Sequence, residues 1–136
     1  MNKSTRMKSL IILLISTIAF PFSTFAWGQT GHRAVGQIAI NHLSKKAKKA
    51  LYEIMGHESL VEASTWMDDI KSDSSYDYAR TWHYVTIPDG KTYETSEKEE
   101  KGDAYEAIIR MKQIIQDENS SREEKRNAVR MLTHLV

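Results

Sequence analysis

Trp27 and His32 are the first residues of this chain that could do chemistry, and they follow a stretch with the composition of a secretory leader. Cleavage between Ala26 and Trp27 would make Trp27 the mature amino terminus. Its amino nitrogen and its own carbonyl oxygen could then close a five-membered chelate ring on a metal ion. His32 lies five residues further on, and Gly28 and Gly31 let the backbone turn back between them. The pattern predicts a metal site at the start of the mature chain.

The leader is predicted over residues 1–26. Its basic residues are Lys3, Arg6 and Lys8. An apolar run over 10–20 follows, and Thr24 and Ala26 place a small residue at each position that a signal peptidase reads. A permanent membrane helix needs about 20 apolar residues, so this run is too short to be one. We expect a cleaved signal peptide and a secreted or periplasmic protein without a stable membrane anchor, the alternative being an uncleaved anchor.

Composition narrows the chemistry of any metal site in the mature chain, residues 27–136. Without the leader, 16 Lys and Arg face 18 Asp and Glu, a formal charge of −2, which gives no strong electrostatic case for a duplex-DNA or membrane-surface binder. The absence of cysteine excludes disulfides and thiolate ligands. A bound metal ion must therefore be coordinated by histidine, carboxylate and main-chain ligands. The length of the mature chain predicts a single small domain.

Further candidate ligands are scattered along the chain. They are Asp68, His83 and His134, which join His32. The intervals between the four are 15 to 51 residues, so they converge only if the fold brings them together. Each also has a structural interpretation: His134 as a core histidine bonded to a backbone carbonyl, Asp68 as a surface acid at the edge of a core, and His83 as a half-buried strand residue. His42 and His57 are expected to be surface histidines.

The periodicity of apolar residues predicts an all-α domain. We expect helices over 32–43, 44–56, 60–70, 103–116 and 120–135, a polar loop over 73–78, a short extended segment over 81–87 and a charged loop over 91–101. Ser44 is predicted to cap the second helix, and Ser120 with Glu123 has the spacing of a capping box for the last. The sequence reaches Val136 inside an apolar stripe without a C-cap motif, so we expect the fold to be incomplete there, the alternative being a natural end.

Four motifs occur in the order found in one known family. They are Trp27-Gly28-Gln29-Thr30-Gly31-His32, Ala63-Ser64-Thr65-Trp66-Met67-Asp68, Trp82-His83-Tyr84 and Leu132-Thr133-His134-Leu135-Val136. With them the chain resembles the zinc-dependent single-strand-specific nucleases and 3'-nucleotidases, the S1/P1 nuclease family. The resemblance covers the whole mature chain but about the amino-terminal half of a full family member.

The resemblance implies an all-α, multi-helix zinc-cluster fold of the nuclease and phospholipase C type, built around three zinc ions. Trp27 and His32 would hold one zinc ion, and Asp68, His83 and His134 would hold another, with Asp68 also acting as a catalytic residue that orients water. The family's remaining ligands would lie beyond Val136, so this chain would supply about one and a half of the zinc sites.

The resemblance also implies substrate contacts. Tyr84 follows the motif histidine at the position of an aromatic residue that stacks on a nucleobase. Lys71 stands where related enzymes carry an arginine near the phosphate. A lysine keeps the positive charge of that arginine but cannot form its bidentate hydrogen bonds. The structural interpretation of Lys71 is a solvated lysine at a helix end. Thr86 replaces an acidic residue that bonds the base edge in some fungal members, which leaves base preference open.

The function implied by the resemblance is a secreted, zinc-dependent phosphodiesterase. It would hydrolyse single-stranded RNA and DNA and 3'-nucleotides to products that carry 5'-phosphates, with no cofactor besides metal. Two alternatives stay open on the sequence: a zinc phospholipase C acting on lipids, and a truncated chain that binds some zinc without catalysis.

Overall fold

The computed structural model describes residues 28–136, and every regular element in that range is helical. The elements are α1 Gln29–His42, α2 Lys45–Met55, α3 Leu60–Ala63, α4 Trp66–Asp69, a 3₁₀ helix Ser74–His83, α5 Ala104–Gln116 and α6 Arg122–Leu135. Residues 28–136 contain no strand, and the predicted all-α class is confirmed. None of the helices described is both long and apolar enough to cross a bilayer. The predicted leader and Trp27 lie outside the described residues.

Helix α6 is the central element of the described fold, because it contacts α1, α2, α3, α4 and α5. One core cluster contains Met67, Ala79, Trp82, Ala107, Met111, Ala128 and Met131. A second contains Met55, Leu60, Ala63 and Val129. Ala128 and Val129 are neighbours on α6 but belong to different clusters, and Ile115 packs against both. The central helix therefore joins the two halves of the core, and it also carries His134.

Helices α1 and α3 approach each other at Gly36, which is buried. A Cβ atom at this position would lie 2.6 Å from the carbonyl oxygen of Leu60 and 3.1 Å from the Cα of Val61. A side chain of any size would therefore collide with the backbone of α3. Gly36 lies one turn after His32, so this close contact fixes the distance of His32 from the chain that follows α3.

Serine side chains cap three of the helices. Ser44 accepts a hydrogen bond from the backbone N–H of Ala47, as predicted, and Ser59 forms a capping box at the start of α3. The box predicted at Ser120 and Glu123 is wrong by one residue, because the structure forms it with Ser121 and Glu124. The backbone N–H of Ser120 instead bonds to the carbonyl of Asp117 in the preceding turn, which delays the start of α6. At the end of α2, Gly56 has a φ of 68° and stops the helix where expected.

The single helix predicted over 60–70 is wrong, since the structure divides it into α3 and α4. The hydroxyl of Ser64 donates to the carbonyl of Val61 at 2.8 Å, and that of Thr65 donates to the carbonyl of Glu62 at 3.4 Å. Such side-chain bonds compete with the helical backbone pattern and change the direction of the chain. The break also leaves the carbonyl of Ser64 free for a partner outside the helix.

The predicted loop over 73–78 is also wrong, and the extended segment predicted over 81–87 is wrong for its first three residues; Tyr84, the next residue, has extended backbone. Residues 74–83 form one 3₁₀ helix, which starts where the Asp73 carboxylate accepts from the backbone N–H of Ser75. Tyr76, Ala79 and Trp82 recur every third residue and all pack against the first core cluster. A period of three is that of a 3₁₀ helix, whose side chains at i and i+3 eclipse. Burial of this face overrides the strand preference of the β-branched and aromatic residues.

The loop between the 3₁₀ helix and α5 is closed at its base by hydrogen bonds. Thr81 donates to the carbonyl of Gly102 at 2.6 Å, and the indole of Trp82 donates to the carbonyl of Lys101 at 2.8 Å. The backbone N–H of Ala104 donates to the carbonyl of Tyr84 at 3.0 Å. These bonds fix the entry and exit of the loop, so that α5 begins beside the end of the 3₁₀ helix.

Candidate metal centre

His32 lies in the first turn of α1 and is buried. The helix begins where the carbonyl of Gly28 accepts from the backbone N–H groups of Gly31 and His32, at 2.8 and 3.4 Å. The turn predicted across the two glycines is thus part of the helix start. Trp27, the predicted partner of His32, lies outside the described residues, and its role as a ligand stays a prediction.

Asp68 lies in α4, and its carboxylate points between two histidines. Its Oδ2 atom is 4.0 Å from Nε2 of His32, and its Oδ1 atom is 4.0 Å from Nε2 of His83. Lys71, one turn later, forms an ion pair with Oδ1. The carboxylate side chain is 27% exposed, so solvent still reaches it. Asp68 therefore lies at the edge of the core, and His32, His83 and Lys71 lie around its carboxylate.

His134 is the most buried of the histidines around Asp68 and is held by the backbone. Its Nδ1 atom donates to the carbonyl of Ser64 over 2.8 Å, a bond between residues 70 positions apart. This bond is the one expected of a core histidine, but it engages one ring nitrogen and leaves Nε2 for another partner. Metal-binding histidines usually donate their second nitrogen to a carbonyl or carboxylate in this way.

The three histidine rings lie against one another. The rings of His32 and His134 stack with centroids 4.0 Å apart, and the ring of His83 meets that of His134 edge-on at 5.1 Å. One ligand atom each from His32, Asp68 and His134 lies within 4.8 Å of the others. The four residues separated in sequence therefore converge, and they line a cavity of about 620 Å³ together with Lys71, Gly28, Ala104, Leu135 and Val136.

Burial and neighbouring groups shift the pKa values of His83, His134 and Asp68. Burial lowers the pKa of His83, an effect that the positive charge of Lys71 increases, and it lowers the pKa of His134. For Asp68, burial raises the pKa, but the hydrogen bond from Lys71 and the positive charge of Lys71 outweigh that effect and hold the pKa below its usual value. Neutral imidazoles beside an ionised carboxylate are the forms that bind a metal ion.

The donor set fits a divalent metal of the zinc type. Imidazole nitrogen and carboxylate oxygen are ligands that zinc takes in proteins. The Nε2 atom of His83 is buried and has no hydrogen-bond partner among the described residues. An unsatisfied buried nitrogen costs about 1–3 kcal/mol, and a metal ion would relieve that cost. The described part of the chain can therefore hold a metal ion at His32, Asp68 and His134, with His83 beside them.

The two predicted substrate residues occupy different positions. Lys71 lines the cavity, and its side chain is 60% exposed although it pairs with Asp68. Tyr84 is 46% exposed and stands outside the cavity lining, with its hydroxyl 3.5 Å from a carboxylate oxygen of Glu99. Thr86 is exposed and lines a separate depression on the loop. His42 and His57 are exposed, as expected.

One residue of the centre was missed by sequence reasoning. Ser64 contributes its carbonyl oxygen, which orients the His134 ring. The residue lies inside the motif that ends in Asp68, but a backbone carbonyl has no side-chain chemistry that a spacing argument could detect. The indication available was the pair Ser64-Thr65, two residues that interrupt helices by bonding to the backbone.

Comparisons with known proteins identify the family of the chain. The family model described as S1/P1 Nuclease matches residues 27–136. Nuclease P1 of Penicillium citrinum is 25% identical over 118 residues, covering 81% of this chain and 44% of that protein. Nuclease S1 of Aspergillus oryzae is 26% identical over 86 residues, or 61% of this chain and 30% of that protein.

A plant protein, Endonuclease 2 of Arabidopsis thaliana, is 26% identical over 101 residues, or 68% of this chain and 34% of its own length. The chain thus spans less than half the length of these relatives. No solved structure matches it. Because the family model covers the whole described region together with Trp27, the chain belongs to the S1/P1 nuclease family.

Proposed function

We propose that the protein is a zinc-dependent phosphodiesterase that acts after export. Its substrates would be single-stranded RNA or DNA and 3'-nucleotides, and its products would carry 5'-phosphates. The observation that carries the proposal is the convergence of His32, Asp68 and His134 within 4.8 Å, on the wall of an open cavity. The names of the relatives, which are nucleases and an endonuclease, support the reaction class.

The residues that would hold zinc are those of the cluster. His32 would bind with the amino nitrogen and carbonyl oxygen of a mature Trp27, and Asp68, His83 and His134 would form a second site. Zinc, when bound, supplies Lewis acidity that activates water and neutralises charge on phosphate oxygens. Three ions are proposed for the complete family site, of which this chain can ligate about one and a half.

The chain's own residues perform the remaining tasks. The carbonyl of Ser64 fixes the tautomer and direction of His134. Asp68, kept ionised by Lys71, can accept a hydrogen bond from the attacking water and so orient it. Lys71 is exposed enough to swing from the carboxylate to a substrate phosphate, where it acts as a point charge. The exposed ring of Tyr84 offers a face on which a base can stack.

The experiment compares Asp68→Asn with Asp69→Asn. Asp69 is the next residue on α4, and it is exposed. We expect Asp68→Asn to lose both bound zinc, measured by elemental analysis, and nucleotide release from single-stranded DNA, while Asp69→Asn keeps both. Retained hydrolysis in Asp68→Asn would contradict the role of Asp68. Faster hydrolysis of a choline phospholipid than of DNA would favour the lipase alternative.

The role of Trp27 is tested separately through the mature terminus. We propose cleavage between Ala26 and Trp27, which mass spectrometry of the exported protein would show directly. One extra residue before Trp27 would remove the amino nitrogen from its chelating position, and we expect that variant to bind less zinc. An extended protein with full zinc content and activity would refute this ligand.

A further inference from the structure

Helix α2 carries four lysines within its first five residues. They are Lys45, Lys46, Lys48 and Lys49, and all are exposed. The first turn contains no acidic residue, and Glu53 is the single acidic residue of the helix. The mature chain has a formal charge of −2, so this positive charge is a local feature and not a consequence of overall composition.

This arrangement is electrostatically unfavourable for the helix itself. The amino end of a helix carries a partial positive charge, and cations in its first turn are repelled by about 0.3–1 kcal/mol each. Lys45 with Lys49 forms a like-charge pair at i and i+4, which costs about 0.2–0.5 kcal/mol more. None of these lysines forms an ion pair with another described residue. A bound polyanion would relieve all of these repulsions.

An aromatic side chain lies at the carboxyl-terminal end of the lysine face. Tyr52 follows Lys48 by four residues and Lys49 by three, which places all three on the same side of the helix. The Tyr52 side chain is 56% exposed, and its ring meets that of His57 edge-on at 5.6 Å. A large aromatic ring held in place and left open to solvent is a platform on which a flat ring system can stack.

We propose that Lys45, Lys48, Lys49 and Tyr52, the α2 face, bind a single strand of nucleic acid away from the metal centre. The lysines contact phosphates and Tyr52 stacks on a base, the combination by which proteins hold single strands without sequence preference. The identity of the polyanion rests on the proposed function. The α2 face would retain a long strand while a different part of it reaches the cavity, and so would favour polymers over mononucleotides.

The distribution of apolar residues favours nucleic acid over a lipid surface. A helix that lies on a membrane presents a continuous apolar side to the acyl chains. On α2 that side is already used, because Met55 belongs to the second core cluster and Leu51 and Ile54 pack against it. What remains outward is cationic and aromatic.

The experiment measures binding rather than catalysis, so it does not depend on turnover at the metal centre. A fluorescent single-stranded phosphorothioate oligonucleotide of about 12 nucleotides is titrated with the zinc-loaded protein, and its anisotropy is followed at several salt concentrations. The first variant is Lys45→Gln, Lys48→Gln, Lys49→Gln. The charge-matched control is Lys91→Gln, Lys101→Gln, Lys112→Gln, three exposed lysines outside α2.

We expect the α2 variant to bind about tenfold more weakly, with a slope of log K against log salt shallower by about two, because each phosphate contact contributes about 0.7. Tyr52→Ala should weaken binding at least about fivefold and Tyr52→Phe should restore it, since the ring carries the stacking. Circular dichroism should show the α2 variant folded and slightly more heat-stable, because the repulsions are gone.

Three results would overturn the proposal. The first is equal loss of binding in the α2 variant and its control, which would mean that positive charge anywhere on the surface attracts the oligonucleotide. The second is unchanged oligonucleotide binding in the α2 variant. The third is an α2 variant that no longer sediments with phosphatidylglycerol vesicles but still binds the oligonucleotide, which would assign the α2 face to lipid. Lysine-dependent oligonucleotide binding without hydrolysis of DNA would support the α2 face and count against the proposed function alone.

Discussion

Replacing Gly36 with alanine tests whether the α1–α3 contact positions the metal centre. The added Cβ would lie 2.6 Å from the carbonyl oxygen and 2.9 Å from the carbonyl carbon of Leu60, both backbone atoms. Ordinary carbon contacts are about 3.5–4.0 Å, so one of the two helices must move by most of an ångström. His32 lies one turn away on α1, and that movement would take it away from Asp68.

The magnitude follows from two opposing effects. Alanine is favoured over glycine in a helix by about 1 kcal/mol. Overpacking costs about 1–3 kcal/mol, and a collision with backbone belongs at the upper end of that range. We therefore expect Gly36→Ala to lower the free energy of unfolding by about 2 kcal/mol and the melting temperature by roughly 8 °C.

The assay is urea unfolding followed by circular dichroism, beside zinc titration of the same variant. Gln37→Ala is the control, because residue 37 is exposed on the same helix and gains alanine without meeting α3. We expect the control to change stability by less than about 0.5 kcal/mol. Gly36→Ala should also bind zinc more weakly. A variant that is more stable than the original, with unchanged zinc affinity, would show that the contact does not hold α1 in place.

Three further changes have clear expected outcomes. Glu58→Gln should cost about 2–3 kcal/mol at neutral pH, because Arg126 and Arg130 would lose a half-buried carboxylate; urea midpoints measure this. Burial raises the pKa of Glu58, but its hydrogen bonds to the two arginines lower that pKa more. The stabilisation by Glu58 is therefore complete above the ordinary pKa of a glutamate and is lost as the pH falls through the lowered pKa. The stabilities of the original protein and the variant should thus converge in acid, and a difference that does not depend on pH would contradict this. Ser59→Ala should cost about 1 kcal/mol by removing the capping box of α3, with little effect expected from Ser72→Ala, an exposed serine outside any cap. Trp82→Phe should make the loop over 84–103 more sensitive to limited proteolysis, since the bond to the Lys101 carbonyl is lost; an unchanged digestion pattern would show that the other base contacts suffice.

Helix positions were predictable where local sequence decides them. The cap at Ser44 and the stop at Gly56 depend on neighbours within a turn, and the structure has them where expected. The 3₁₀ helix was missed because its first residues are polar and its last ones have strand preferences, whereas its shape is decided by burial of Trp82 against α5 and α6. That burial is a tertiary contact, which no local pattern contains.

The candidate ligands were identified from a family resemblance, and their convergence could not be obtained from spacing. His32, Asp68 and His134 meet because α1 packs on α3 at Gly36 and because His134 reaches back to the Ser64 carbonyl. The ion pair between Lys71 and Asp68 was also not foreseen, since it depends on how α4 ends. Distances between side chains on different helices are properties of the assembled core.

The separation of His32 from His134 in sequence has a consequence for the unfolded state of the chain. Under the proposed ligation, one ion cluster ties together residues about 100 positions apart, as a covalent cross-link would. In chain-entropy terms, closing a loop of about 100 residues restricts the unfolded ensemble by about 4.7 kcal/mol. Proteins outside the cytoplasm commonly obtain this restriction from disulfides. This chain has no cysteine, so under the proposed ligation the metal would serve both in catalysis and as the cross-link that stabilises the folded chain.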